Sequence, residues 1–133
     1  MTQYEKDILL KDLSARLPYG VKIDNMGEPS LLVSINNKYN IIVEIAEVDK
    51  KSSFNLPSID VLKIEDAKPY LFPLSSMTDE QKREYHELIG GFFGASALIS
   101  IEGLTDFFNK NHIDYRGLIP MELANDATDK NIY

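Results

Sequence analysis

Residues 21–46, VKIDNMGEPSLLVSINNKYNIIVEIA, decide the fold. Val21 and Ile23 alternate with Lys22 and Asp24; Leu31, Val33 and Ile35 then alternate again, with Leu32 on the opposite face. A period of two sends successive side chains to opposite faces of a sheet, so each run reads as a strand. Gly27-Glu28-Pro29 separates the two runs as a turn. Asn36-Asn37-Lys38 supplies residues that tolerate positive φ. That predicts a tight hairpin into a third strand carrying Tyr39, Ile41, Val43 and Ile45. Ile42 and Ala46 add apolar groups on its second face, the pattern of a central strand covered on both sides.

Working outward, polar residues 49–55 read as a loop, and Ile59, Val61, Leu62 and Ile64 as a fourth strand. Upstream, residues 3–17 read as an amphipathic helix, with Ile8, Leu9, Leu10, Leu13 and Leu17 spaced by three to four and Pro18-Tyr19-Gly20 stopping it. Downstream, Lys68-Pro69-Tyr70 and Phe72-Pro73-Leu74 are too rich in proline for a central strand and read as an extended cover over the core. Thr78 or Ser76 can cap a helix that opens with Asp79-Glu80 and ends at Gly90-Gly91. Residues 92–101 read either as a short strand or as an apolar linker. A last helix over 102–111 carries Leu104, Phe107 and Phe108 on one face, and 113–123 reads as a turn with a short helical piece. The expectation is an α+β fold: a small antiparallel meander of about four strands, with an N-terminal helix and two to three C-terminal helices on one face or end. Residues 1–124 form a single globular domain in this reading, and the polar tail 125–133 frays.

A chain of 133 residues, 44% hydrophobic and 26% charged, can bury a core without staples and is not of disordered composition. It contains no cysteine, which excludes disulfides, thiolate metal sites and cysteine nucleophiles. No apolar run approaches the roughly 18–20 residues that span a bilayer. MTQYEKDILL lacks the basic start and apolar stretch of a signal peptide, so a cytoplasmic location without membrane contact is expected. With 14 Lys+Arg against 21 Asp+Glu, the net charge of −7 repels phosphate backbones, and nucleic-acid binding is not expected.

Two histidines are present. His86 lies among Arg83, Glu84 and Glu87 on a helix and reads as a solvated residue. His112 stands at the end of the last helix, where an imidazolium suits the carbonyl end of the dipole. With Asp114 and Arg116 it forms a dense polar cluster that could hold an anionic ligand or serve a hydrolase, Asp114 orienting the imidazole. The same letters are explained by a turn-forming Asp and a surface Arg. Neither histidine has metal-ligand spacing, no serine sits in a G-x-S-x-G elbow, and the glycines of 90–94 match no phosphate loop. No catalytic residue, metal or cofactor is assigned. Tyr70, Phe72, Tyr115 and Arg116 fall at element junctions, the kind of aromatic and Arg groups that anchor protein–protein contacts. The competing reading is that the rings plug the open ends of a small core.

LKDLSARLPYG (10–20), KPYLFPLSSMT (68–78) and DYRGLIP (114–120) resemble segments of a family of small uncharacterised proteins from gut Bacteroidetes and their phages and mobile elements. The resemblance covers residues 1–23, 68–78 and 111–124; the intervening sheet matches in pattern alone. Relatives tend to carry a longer segment where this chain has GGFFGASALISIEG (90–103). The resemblance brings no chemistry. It implies an accessory role in phage or plasmid biology; the acidic surface, the loop aromatics and the lack of a catalytic constellation favour a protein-binding module over an enzyme.

Overall fold

The computed structural model describes residues 1–36, 40–44, 59–90 and 97–133. Helix α1 spans Gln3–Arg16 and starts in a capping box: Glu5 N–H donates to Thr2 Oγ1, and Thr2 N–H donates to Glu5 Oε1. Its buried stripe is Leu9, Asp12, Leu13 and Arg16, so two charges share the core face with two leucines. Pro18 sits in a 3₁₀ turn, Leu17–Tyr19, closed by Gly20 at φ +73°.

Strands β1 (Lys22–Asn25), β2 (Glu28–Ile35), β3 (Asn40–Glu44) and β4 (Ile59–Lys63) form the antiparallel meander in that order. The first turn lies one residue earlier than its proline suggests. Met26 and Gly27 hold φ of 53° and 91°, the double positive value of a two-residue hairpin that matches strand twist, while Glu28 and Pro29 already belong to β2. Strict alternation also fails within β2. A bulge between Leu32 and Ser34 shifts the register, so Leu32 pairs with Val43 and Ile35 with Ile41. Leu32 is therefore buried and Ile35 packs on the core, whereas Val33 faces out. β1 and β4 are three strand spacings apart, about 14 Å in a flat sheet. Yet Asn25 Nδ2 donates to Asp60 Oδ2 over 3.3 Å, so the sheet curls back on itself at the hairpin end.

The proline-rich segment is not a cover. Lys68–Pro73 is strand β5, antiparallel to β1 and fully inside the sheet. Its prolines stand second and last in the strand, which leaves the amides between them free to bond. Helices α2 (Asp79–Gly90) and α3 (Ala97–Lys110) follow, the first capped reciprocally by Thr78 and Gln81. α3 begins within the stretch left open between strand and linker. No helical piece follows it; short strands β6 (Ile113–Asp114) and β7 (Asn125–Asp126) run parallel to β5. Phe72 N–H donates to the His112 carbonyl and Ala127 N–H to the Leu71 carbonyl. Neighbouring residues of a strand point their backbone groups to opposite edges, so β6 and β7 flank β5 from both sides. The meander is thus part of a larger, mixed sheet. The tail expected to fray is pinned through β7 and, as shown below, through Tyr133.

The main core joins α1 to the sheet through Leu9, Leu13, Val21, Ile23, Ile41, Val43 and Leu71; a second cluster, centred on Phe107, Phe108 and Ile113, lies under α2 and α3. The hairpin expected over Asn36-Asn37-Lys38, the 49–55 loop, the side chains of Ile42 and Ala46, and the 91–96 joint fall outside the described residues. No helix among the described residues is long and apolar enough to cross a membrane.

Candidate functional site

The segment after α3 carries most of the predicted site residues, and its backbone explains why they diverge. Asn111 N–H and His112 N–H still bond to carbonyls of the last helical turn, and His112 takes φ +57°, which swings the chain sharply into β6. That left-handed turn at His112 breaks the alternation that would otherwise put His112 and Asp114, two residues apart, on one face.

His112 stacks face to face on Tyr133, ring centroids 3.7 Å apart at 10°. Its Nδ1 is buried without a hydrogen-bond partner. Burial first, then the charges of Arg16 and Lys22, push its pKa down to about 4. The ring is therefore neutral near pH 7, not the imidazolium expected at a helix end. Tyr133 is 43% exposed as a residue, but its hydroxyl is engaged twice: it donates to the Tyr70 carbonyl over 2.7 Å and accepts from Lys22 N–H over 2.9 Å. Burial raises the Tyr133 phenol pKa well above its ordinary value.

Asp114 is buried, and each of its carboxylate oxygens accepts one backbone N–H, from Leu118 at 2.8 Å and Ile119 at 2.9 Å. It stabilises the turn that follows and does not orient His112. Arg116 reaches the other way. Its Nε donates to Asp12 Oδ1 over 3.2 Å, and its Nη2 donates to the Tyr115 hydroxyl over 2.7 Å. The three members of the proposed anion cluster thus serve three separate partners.

Asp12 accepts a second guanidinium on its other oxygen, Arg16 Nε at 2.8 Å, and both of these side chains are fully buried. Arg16 also donates to the carbonyls of Ile113 (2.7 Å) and Phe108 (3.4 Å), which ties α1 to the end of α3 and the start of β6. Sequence reading missed this pair. Its signal was available, because positions 9, 12, 13 and 16 form one i, i+3, i+4, i+7 stripe and two of them are oppositely charged.

The four aromatic and Arg candidates divide two and two. Tyr70 is 6% exposed in β5, its phenol pKa pushed up by burial and then by Asp24. Phe72 lays its ring 5.9 Å from that of Tyr133. Tyr70 serves the interior, and Phe72 is half-buried against the tail. Tyr115 stacks on Phe108 at 5.2 Å and 17°, with the Arg116 guanidinium 4.8 Å from its centroid. Tyr115 and Arg116 also line an open groove of about 500 Å³. Pro73, Leu74, Ser75, Ile119 and Pro120 line it as well. His86 is exposed on α2, as the sequence suggested. Among the described residues, no group of three or more His, Asp or Glu side chains is arranged to hold a metal ion. Comparison of the chain with protein-family models, curated proteins and solved structures finds no match.

Proposed function

We propose that the chain is a non-enzymatic interaction module that docks a protein partner in the groove between the end of β5 and the loop after β6. The observation that carries this reading is the composition of the groove. Its apolar surface comes from Pro73, Leu74, Ile119 and Pro120, residues fixed by two prolines and a sheet end, and its polar rim is Tyr115 with Arg116. Rigid apolar walls beside an aromatic–Arg pair are the makings of an interface anchor. Leu74 is 46% exposed, an apolar side chain offered to a partner where the fold does not use it. The phage or mobile-element setting implied by the sequence resemblance is where that partner is sought.

Leu74 also supplies the test. Replacing Tyr115 or Arg116 disturbs the second core or the Asp12 pair, so loss of binding there is ambiguous. A photo-crosslinking residue at Ser75 is expected to capture one stoichiometric protein in the native host. Leu74→Glu should abolish that capture and leave the thermal midpoint unchanged. A crosslinker at Met26, 97% exposed on the β1–β2 hairpin, should capture nothing specific. Equal capture from both positions, or capture that survives Leu74→Glu, refutes the groove as the docking face.

A further inference from the structure

The hydrogen-bonding capacity left over at the groove rim narrows the partner's chemistry. Arg116 has five N–H donors. Nε and one Nη2 hydrogen are used, and Nη1 has no partner among the described residues. Nη1 is not among the buried unpaired atoms, and the Arg116 residue lines the groove. The Tyr115 hydroxyl accepts from Arg116 Nη2, and its own hydrogen has no acceptor among the described residues. Oη and Nη2 are 2.7 Å apart, so the Tyr115 hydroxyl and the Arg116 guanidinium present their remaining donors side by side.

Charge points the same way. Asp12 is one carboxylate shared by two guanidiniums, Arg16 buried behind it and Arg116 on the groove side with 18% of its side chain exposed. Asp114 lines the same groove, but its oxygens face the amides of Leu118 and Ile119. Within the Asp12 set the more exposed cation is therefore Arg116, on a protein whose net charge is −7. The same groove is lined by the apolar Pro73, Leu74, Ile119 and Pro120, with Ser75 among them. The groove is open, unlike the enclosed cavities that bury most of a small ligand.

Resting on the docking reading above, we infer that the groove binds an extended acidic segment of its protein partner, one Asp or Glu carboxylate bonding to Arg116 Nη1 and the Tyr115 hydroxyl while a neighbouring apolar side chain packs on Leu74 and Ile119.

The probe is a displayed library of random 12-residue peptides with blocked ends, selected on the full chain. Enriched peptides should share an acidic residue beside an apolar one and should compete with one another. Binding of one fluorescent selected peptide should weaken about 10–100-fold when its acid is changed to the amide, the loss expected for a charge-assisted pair. Arg116→Gln should weaken the acidic peptide by a similar factor and bind acid and amide forms alike. Because Arg116→Gln also removes a partner of Asp12, Tyr115→Phe serves as the second variant. It keeps the stacked ring and should weaken binding several-fold, through the hydroxyl alone. Peptides that bind the groove and are lost with Leu74→Glu, yet carry no acid or bind Arg116→Gln undiminished, overturn this inference and leave the docking reading intact. A library that yields no groove-dependent peptide overturns both. Isovalerate competing as tightly as the peptide would make a free small carboxylate the ligand, and would also overturn it.

Discussion

The 112–116 segment is held from two sides by unlike chemistry. On one side α1 meets it with Asp12 and Arg16, both fully buried and bonded to Arg116 and to the Ile113 carbonyl. On the other side Tyr133 meets it with a neutral ring stacked on a neutral His112, its hydroxyl shared between Tyr70 and Lys22. Both contacts bind distant parts of the chain, yet they should fail differently. A buried charge set is balanced only while every member is present, because removing one leaves another charge desolvated and unpaired. A neutral stack loses contacts in proportion to what is removed.

The largest effect is therefore expected at Asp12. Asp12→Asn keeps the shape but leaves Arg16 buried without a counter-charge and Arg116 without its partner. Chemical denaturation should show a loss of about 3–5 kcal/mol, enough to unfold a marginal domain. Adding Arg116→Gln should recover part of that loss, since one fewer cation is stranded. A loss below about 1 kcal/mol would show that water reaches the seam, and the contrast with the tail would collapse.

Tyr133→Phe tests the neutral side. The ring and its stack on His112 remain, while the Lys22 amide and the Tyr70 carbonyl each lose a hydrogen-bond partner. The expected loss is about 1–3 kcal/mol by the same measurement. A loss equal to that of Asp12→Asn would mean that the two sides fail alike.

How much of this was legible differs between the two sides. The meander was readable because β-branched residues alternate over 21–45 and local turn chemistry supports it. Of the two caps offered for α2, Thr78 is the one used, while the Thr2 cap, equally signalled by a Glu three residues on, went unread. The α1 charges were legible in principle, but an Asp and an Arg four apart look the same on a solvated helix face and in a core. What decides between them is the β6 carbonyl that Arg16 reaches, 97 residues away. The tail was not legible at all. Asn125 to Tyr133 is polar by composition, and its order comes from parallel pairing with β5 and from a tyrosine whose partners lie 63 and 111 residues distant. Likewise, Pro69 and Pro73 argued against a strand until their places second and last in β5 showed that neither removes a needed interior donor. At the site, His112, Asp114 and Arg116 have the spacing of one strand face, but the left-handed φ at His112 and a strand only two residues long break that pattern, so proximity there did not mean convergence.

Acid should act on the neutral side through His112. His112 in the folded state takes its proton only at about pH 4, whereas an unfolded histidine takes it near 6.5. Between those values the unfolded chain binds more protons, so stability is full above about pH 6.5 and declines as pH falls toward 4. The lowered carboxyls of Glu5, Glu65 and Asp126 contribute below about pH 4.5, so stability measured from pH 7 to 5 isolates the histidine. His112→Gln should flatten that slope. A slope unchanged by His112→Gln would show that the stack admits water and a charged ring.

The smallest effect separates burial from ion pairing as the source of the seam's brittleness. α1 carries a second ion pair at its surface, Lys6 Nζ to Glu65 Oε1 at 2.7 Å, as short as the Asp12–Arg16 bond but with side chains 26% and 43% exposed. The hydrogen bond and charge of Lys6 lower the pKa of Glu65. Yet an exposed pair trades protein contact for hydration at nearly equal free energy and is screened by salt. Glu65→Gln should leave the urea midpoint unchanged within error, and more clearly so at high salt. If it instead shifted the midpoint as far as Asp12→Asn, the α1 pairs would act by charge alone, and desolvation would not be what distinguishes the two sides of the 112–116 segment.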